Sequence, residues 1–292
     1  MANVQTTVRE DAPPEVVASD IGIWSFIGHW SLVVDHTPPV PFDAQTWLLV
    51  FLRVGAFMTV LPFFSATNFP IQLRIALAML TALLLAPLLP AFSLTQMGFP
   101  ALMGLLVKEV AVGLLLGFIG RMIFYAADLA GSIIATEMGL NLAPLFNPLS
   151  QNQTQAPGTI LFLLASVVML TLDLHHWILV GFQRTYSYLP VGGAHLSGAL
   201  FGSVVAHTGR VFFVALQIAA PLIAMSFVIT VVFAVLSRAV PQMNVFVESY
   251  AFRTVGGLIV FGLTLQLMAQ HVLNYLRRLP EDLARVAQLL GG

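Results

Sequence analysis

Long apolar runs interrupted by single charges fill most of this sequence, and no other feature restricts the fold as strongly. The runs are Trp47 to Phe64, Leu73 to Leu89, Pro100 to about Leu142, Thr159 to about Tyr188, Val211 to Leu236 and Val255 to Leu276. About 20 apolar residues suffice to cross a bilayer as a helix. Backbone in contact with lipid must satisfy its own hydrogen bonds, and a helix does so within one segment. The expected fold is therefore all-α: a polytopic membrane protein of about six long, partly broken helices arranged as hairpins. Composition supports this, because 58% of the residues are hydrophobic and only 9% are charged, whereas a soluble domain carries about a quarter charged residues.

The charge that remains is unevenly placed. Residues 1–45 hold one basic residue, Arg9, against Glu10, Asp11, Glu15, Asp20, Asp35 and Asp43, while the rest of the chain is weakly basic. No segment reaches the charge density that nucleic-acid binding requires, so nucleic acid is excluded as a partner. Residues 1–42 read as an acidic N-terminal extension with a short apolar helix, Ile21 to Val34, carrying Trp24, Phe26 and Trp30. That stretch is about half a span and suits an interfacial or docking role. The chain has no cysteine, which removes disulfides and thiolate metal sites.

Between the first two runs, Ser65 to Gln72 contains Asn68 and Pro70 and reads as the turn of a hairpin. The third run is too long for one straight span, so a kink or break is expected between Arg121 and Gly131. Its Gly113, Gly117 and Gly120 share a helix face, a spacing that permits close approach of another helix. Leu142 to Pro157 has prolines and amides but no charged side chain, and is expected to be a loop. Thr159 to Tyr188 reads as one helix containing Asp173, His175 and His176. The basic residues outside the runs divide too evenly to set the orientation of the spans.

Arg53, Lys108, Glu109, Arg121, Asp128, Glu137 and Asp173 lie inside or at the edges of the runs. Each would cost about 2.5 to 3.5 kcal/mol at a bilayer centre, so they are expected to face protein, water or one another. Two readings stand: a polar conduit, or ion pairs between helices or subunits. Asp173 and His176, at i, i+3, offer two metal ligands on one face, but a second such pair is missing, and no metal or other cofactor is expected. No catalytic triad, HExxH, phosphate loop or dinucleotide fingerprint occurs, so the chain reads as no enzyme.

The string Pro241-Gln242-Met243-Asn244-Val245-Phe246, between the last two runs and preceded by Arg238, resembles a specific motif of the FliR family of flagellar type III export proteins. Further family-like residues follow in order: Arg53, Gly55, Pro62 and Phe64; Pro70 and Arg74; Glu109, Gly113 and Gly117; Asn147 and Pro148; His175; Thr185, Tyr186, Pro190 and Gly192; and Pro221. The resemblance covers about residues 44 to 280. The family often has Asp-Pro where this chain has Asn147-Pro148, and Asn-Gly-His where it has Asp173-Leu174-His175.

This resemblance implies a subunit of the flagellar export gate in the bacterial inner membrane, at the flagellar basal body. FliP and FliQ would be its assembly partners, FlhB and FlhA its neighbours, and unfolded flagellar export substrates the cargo of a shared pore, with membrane lipid around it. It further implies a FliP-like helical region over residues 43–206, a FliQ-like helical hairpin over 207–279 and a C-terminal tail over 280–292. Leu145, Phe146, Asn147, Pro148 and Gln151 would plug the pore. Pro241, Gln242, Met243, Asn244 and Phe246 would lie at the cytoplasmic mouth beside FlhB, and the seven embedded charges would pair between subunits. An injectisome export-gate subunit and a small-solute transporter are the rival readings; the transporter should show inverted repeats with paired broken helices.

Overall fold

The structure, a computed structural model, describes residues 43–292 apart from 66–68, 95–96, 141–155, 196, 241 and 243, and gives only the backbone of residues 63 and 245–247. Seven long helices occur among the described residues: α1 (Ala44–Val60), α2 (Ile71–Leu85), α3 (Phe99–Glu137), α4 (Ala156–Thr171), α5 (Leu174–Tyr188), α6 (Gly198–Ala239) and α7 (Val245–Gly291). A single helical turn, Pro62–Ser65, follows α1, and a 3₁₀ turn, Ala86–Leu88, follows α2. No strand is present among the described residues. The all-α expectation holds.

Helix α1 begins where Asp43 caps it, its carboxylate accepting from the N–H groups of Gln45 (3.1 Å) and Thr46 (3.2 Å) and so occupying donors that have no partner within the helix. Pro62, with no N–H to donate, sits just beyond its end. The buried face of α1 carries Leu49, Val50, Val54 and Phe57, and α3 packs along it. Helix α3 is the axle of the unit, in contact with α1, α4, α6 and α7.

Helix α3 runs unbroken for 39 residues, and the expected break between Arg121 and Gly131 is absent. The glycines mark contacts with α1 instead. A Cβ on Gly113 would lie 2.3 Å from the Arg53 carbonyl oxygen, one on Gly117 2.8 Å from that of Phe57, and one on Gly120 2.8 Å from the Leu61 side chain. At 1.5 Å per residue α3 is about 58 Å long, nearly twice the hydrocarbon thickness. Length alone therefore never required a break: part of the helix extends past the apolar layer.

The break falls elsewhere. The run predicted as one helix from Thr159 to Tyr188 divides into α4 and α5, which meet at 76°. Asp173, at the elbow, has φ 52° and ψ 23°, left-handed backbone that costs most residues roughly 1–2 kcal/mol and that Asp tolerates better than most. Gly181 of α5 then lies so close to α7 that an added Cβ would stand 3.0 Å from the Cα of Pro280. Asp173, His175 and His176 stand at this point of the run, but no glycine or proline marks the elbow.

Helices α6 and α7 form the expected hairpin but extend well beyond it, with 42 and 47 residues. The segment 280–292, expected as a tail, is mostly the last turns of α7. Leu283, Val286, Ala287 and Leu290 are buried there. The Leu290 carbonyl accepts from the His195 N–H at 2.8 Å. Four helical segments, α2 with its 3₁₀ turn (Ile71–Leu88), α3, α6 and α7, are long and apolar enough to cross a membrane, or five if the bent α4–α5 pair is one broken span. The six apolar runs thus form seven long helices, because one run is divided at the elbow, and α1, at 17 residues, is shorter than a span.

Candidate functional site

Arg53 of α1 and Glu109 of α3, 56 positions apart, meet in the core with both side chains fully buried. The pairing is bidentate. Arg53 Nε donates to Glu109 Oε2 at 2.6 Å and Nη2 to Oε1 at 3.0 Å, the fork geometry that makes an Arg–carboxylate pair strong. The remaining guanidinium donors reach the end of α5: Nη1 donates to the Leu189 carbonyl at 2.9 Å and Nη2 to that of Pro190 at 3.5 Å. These carbonyls lie where a helix ends and its last acceptors have no partner of their own. Glu109 Oε1 also accepts from the Gly192 N–H at 2.8 Å. Gly192 has φ +80°, a conformation suited to glycine, and it aims that N–H at the carboxylate. The Tyr186 ring covers the cation, 4.4 Å from the guanidinium carbon, and Phe182 stacks on Phe57 at 4.4 Å.

One buried polar knot thus ties α1, α3 and the α5–α6 connection together. It gathers Arg53, Glu109, Tyr186, Pro190 and Gly192, which the sequence offers only as separate features. The two charges balance and their hydrogen-bonding capacity is nearly filled, the condition under which a buried pair is tolerated. Arg53 and Glu109 therefore need no neighbouring subunit, contrary to the expectation that all seven embedded charges pair between subunits.

The other five embedded charges are placed differently. Lys108, Asp128 and Asp173 are exposed, and Arg121 and Glu137 are half-buried. Arg121 turns toward α1, donating to the Val60 carbonyl at 3.4 Å and lying over the Tyr125 ring. Lys108 and Asp128 stand on faces of α3 that are exposed among the described residues.

A second polar cluster, which the sequence reading missed, joins the first turns of α6 to the last turns of α7. Asp282 lies 3.3 Å from His207 Nε2 and accepts from Arg210 Nη1 at 3.4 Å. His207 Nδ1 contacts the Ser203 carbonyl at 2.8 Å. The signal was available: His207 and Arg210, three apart, flank one end of the apolar stretch of α6, and Asp282 lies beyond that of α7. The two helices continue as a polar-stapled pair past their apolar sections.

Of the motif residues, Pro241 and Met243 lie outside the described residues, as do the proposed plug residues Leu145, Phe146, Asn147, Pro148 and Gln151. Gln242 and Asn244 are exposed, and the Asn244 carbonyl accepts from the Glu248 N–H at 3.1 Å, starting α7. The backbone of Phe246 is helical. One turn later α7 is fastened to the end of α3. The Tyr250 hydroxyl donates to the Gly139 carbonyl, and Thr254 Oγ1 to that of Met138 at 2.9 Å. The residues that lead into the 142–157 segment are thereby tied to the residues that follow the Pro241–Phe246 motif.

Taken together, unbroken helices longer than a bilayer, exposed apolar faces and a charge-balanced polar knot define a multi-pass membrane protein in which no catalytic constellation forms among the described residues. Residues 44–279 match the family described as bacterial export proteins, family 1. The chain is 29% identical over 245 residues to the flagellar biosynthetic protein FliR of Escherichia coli (strain K12), covering 82% of this chain and 94% of that protein. It is 31% identical over 207 residues to the FliR of Bacillus subtilis (strain 168), covering 69% and 78%. To that of Caulobacter vibrioides it is 28% identical over 225 residues, covering 77% and 90%. The chain belongs to the bacterial export proteins, family 1, and within them to the FliR family, as a component of flagellar biosynthesis and protein export.

Proposed function

We propose that this chain is a subunit of the flagellar type III export gate, forming with FliP and FliQ part of the pore through which unfolded export substrates pass. It sits in the bacterial inner membrane at the flagellar basal body, with FlhB and FlhA beside it. The observation that carries this reading is the uncovered apolar surface. Among the residues of their most apolar windows, only 28% in α6 and 17% in α7 are buried within the chain, while Lys108 and Asp128 need polar company on exposed faces. Both demands are met by helical neighbours and only one by lipid. The flagellar relatives favour this assignment over an injectisome gate, and the single bent helix pair, without a matching partner among the described residues, counts against a transporter built on inverted repeats.

In this reading residues 43–206 act as the FliP-like part and residues 207–279, within the α6–α7 hairpin, as the FliQ-like part. The uncharged 142–157 segment plugs the pore, filling it without binding an ion, and residues 241–246 face FlhB. The Tyr250–Gly139 contact supports a mechanical link between the two. Deleting Leu145 to Gln151 tests the plug. The assembled complex should then leak small ions in liposomes, and unchanged permeability in a fully assembled complex would remove the plug role.

A further inference from the structure

The elbow between α4 and α5 brings together three side chains that a straight helix would separate. On an uninterrupted helix, residues 173 and 175 would point about 200° apart. Here the left-handed Asp173 lies ahead of the first residue of α5, and its carboxylate stands 3.6 Å from His176 Nδ1. The rings of His175 and His176 have centroids 4.1 Å apart. One ligand atom from each of the three residues falls within 4.8 Å of the other two.

An ion pair between Asp173 and His176 accounts for two of these groups and leaves the third unexplained. His175 Nδ1 is buried without a hydrogen-bond partner in the described structure, an arrangement that a buried polar atom rarely adopts. Two imidazoles and one carboxylate form a ligand set for a divalent transition metal, with zinc holding water in the fourth position. A tetrahedral site with bonds of 2.0–2.1 Å has ligand atoms about 3.4 Å apart. The cluster must therefore contract by up to about 1.4 Å, which the exposed side chains of Asp173 and His176 can supply by rotation.

We propose that Asp173, His175 and His176 bind a divalent transition-metal ion, zinc by the character of the donors, and that the ion pins the α4–α5 elbow. Binding would fasten the left-handed residue to the first turn of α5 and give His175 Nδ1 a partner. The reading concerns this chain's own elbow and does not depend on what passes through the pore.

The test uses the full-length chain, purified in detergent without a polyhistidine tag and stripped of metal with a chelator. Equilibrium dialysis against zinc should give one ion per chain. Each of His175→Ala, His176→Ala and Asp173→Asn should lower the affinity more than the roughly tenfold that even outer-sphere partners contribute. Cobalt added in place of zinc should develop the visible absorption of a four-coordinate site in the wild type and not in H175A/H176A. Should a variant fold poorly, His175→Gln, of similar size, serves in its place. No retained zinc in the wild type, zinc that survives loss of both histidines, or a cobalt spectrum of free aqueous ion would each overturn the proposal.

Discussion

Where α1, α3 and α5 meet, the side chains with the greatest need of partners are completely enclosed, whereas along the α6–α7 hairpin the surface with the least affinity for water is left open. Arg53 and Glu109 are 0% exposed, while Phe227 and Leu263 are 68% and 79% exposed. The first region is self-sufficient: its charges cancel, its donors reach carbonyls, and its glycines let backbones touch. The second packs one side against α3 and α5 and carries a polar staple at its end, but leaves its other side open. On the proposed function, stability and assembly reside in different parts of the molecule, and substitutions should separate them.

The largest effect is expected in the knot. Arg53→Ala or Glu109→Ala leaves an uncompensated buried charge and should cost about 3–5 kcal/mol, seen as lost protein in the membrane and a lower unfolding temperature in detergent. Replacing both residues together, Arg53→Met with Glu109→Leu, should cost much less than the sum of the single changes. Strict additivity would mean that the pair is not the unit described.

Smaller but sharper is the contrast between two glycines of α3. Gly113→Ala drives a Cβ into backbone and should cost about 1–3 kcal/mol, whereas nothing lies within 4 Å of a Cβ on Gly104. Gly104→Ala should stabilise the helix by up to about 1 kcal/mol. Equal effects at both positions in thermal unfolding would contradict the close approach of α1.

Tyr250→Phe removes only the hydroxyl that holds Gly139 and should cost about 1 kcal/mol, read as faster amide exchange at residues 138–140. No change there would detach the 241–246 motif from the end of α3.

The weakest effect concerns the start of α1. The Thr46 hydroxyl, followed by the Gln45, Thr46 and Phe92 N–H groups, holds the Asp43 carboxyl below its usual range against the opposing pull of burial. A depressed carboxylate contributes stability that is fully present above the ordinary aspartate range and fades as pH falls through the lower folded value. Asp43→Asn should preserve the cap and abolish that acid-side loss, while Asp43→Ala should cost about 1 kcal/mol at neutral pH. Unfolding temperatures measured between neutral and acidic pH distinguish the two.

How far the sequence carried the account follows from the range of each interaction. Apolar runs located the helices because hydropathy is local, and the Gly113–Gly117–Gly120 spacing correctly marked a contact face. The α4–α5 elbow escaped because Asp173 adopts left-handed backbone without a glycine to advertise it. The outer turns of α6 and α7 escaped because Ser203, His207, Arg210 and Asp282 look like loop residues until they are seen joining two helices. The Arg53–Glu109 pair escaped for a different reason. Each residue was conspicuous as a charge in an apolar run, but nothing local connects positions 56 residues apart.

The central claim is that the open face of the α6–α7 hairpin is covered by helical subunits. A photo-reactive amino acid placed at Leu263, in cells that assemble a functional export apparatus, tests it directly. The account predicts light-dependent adducts with FliP or FliQ, lost when either partner is absent. Adducts to lipid alone, in cells that still export flagellar substrates, would contradict it.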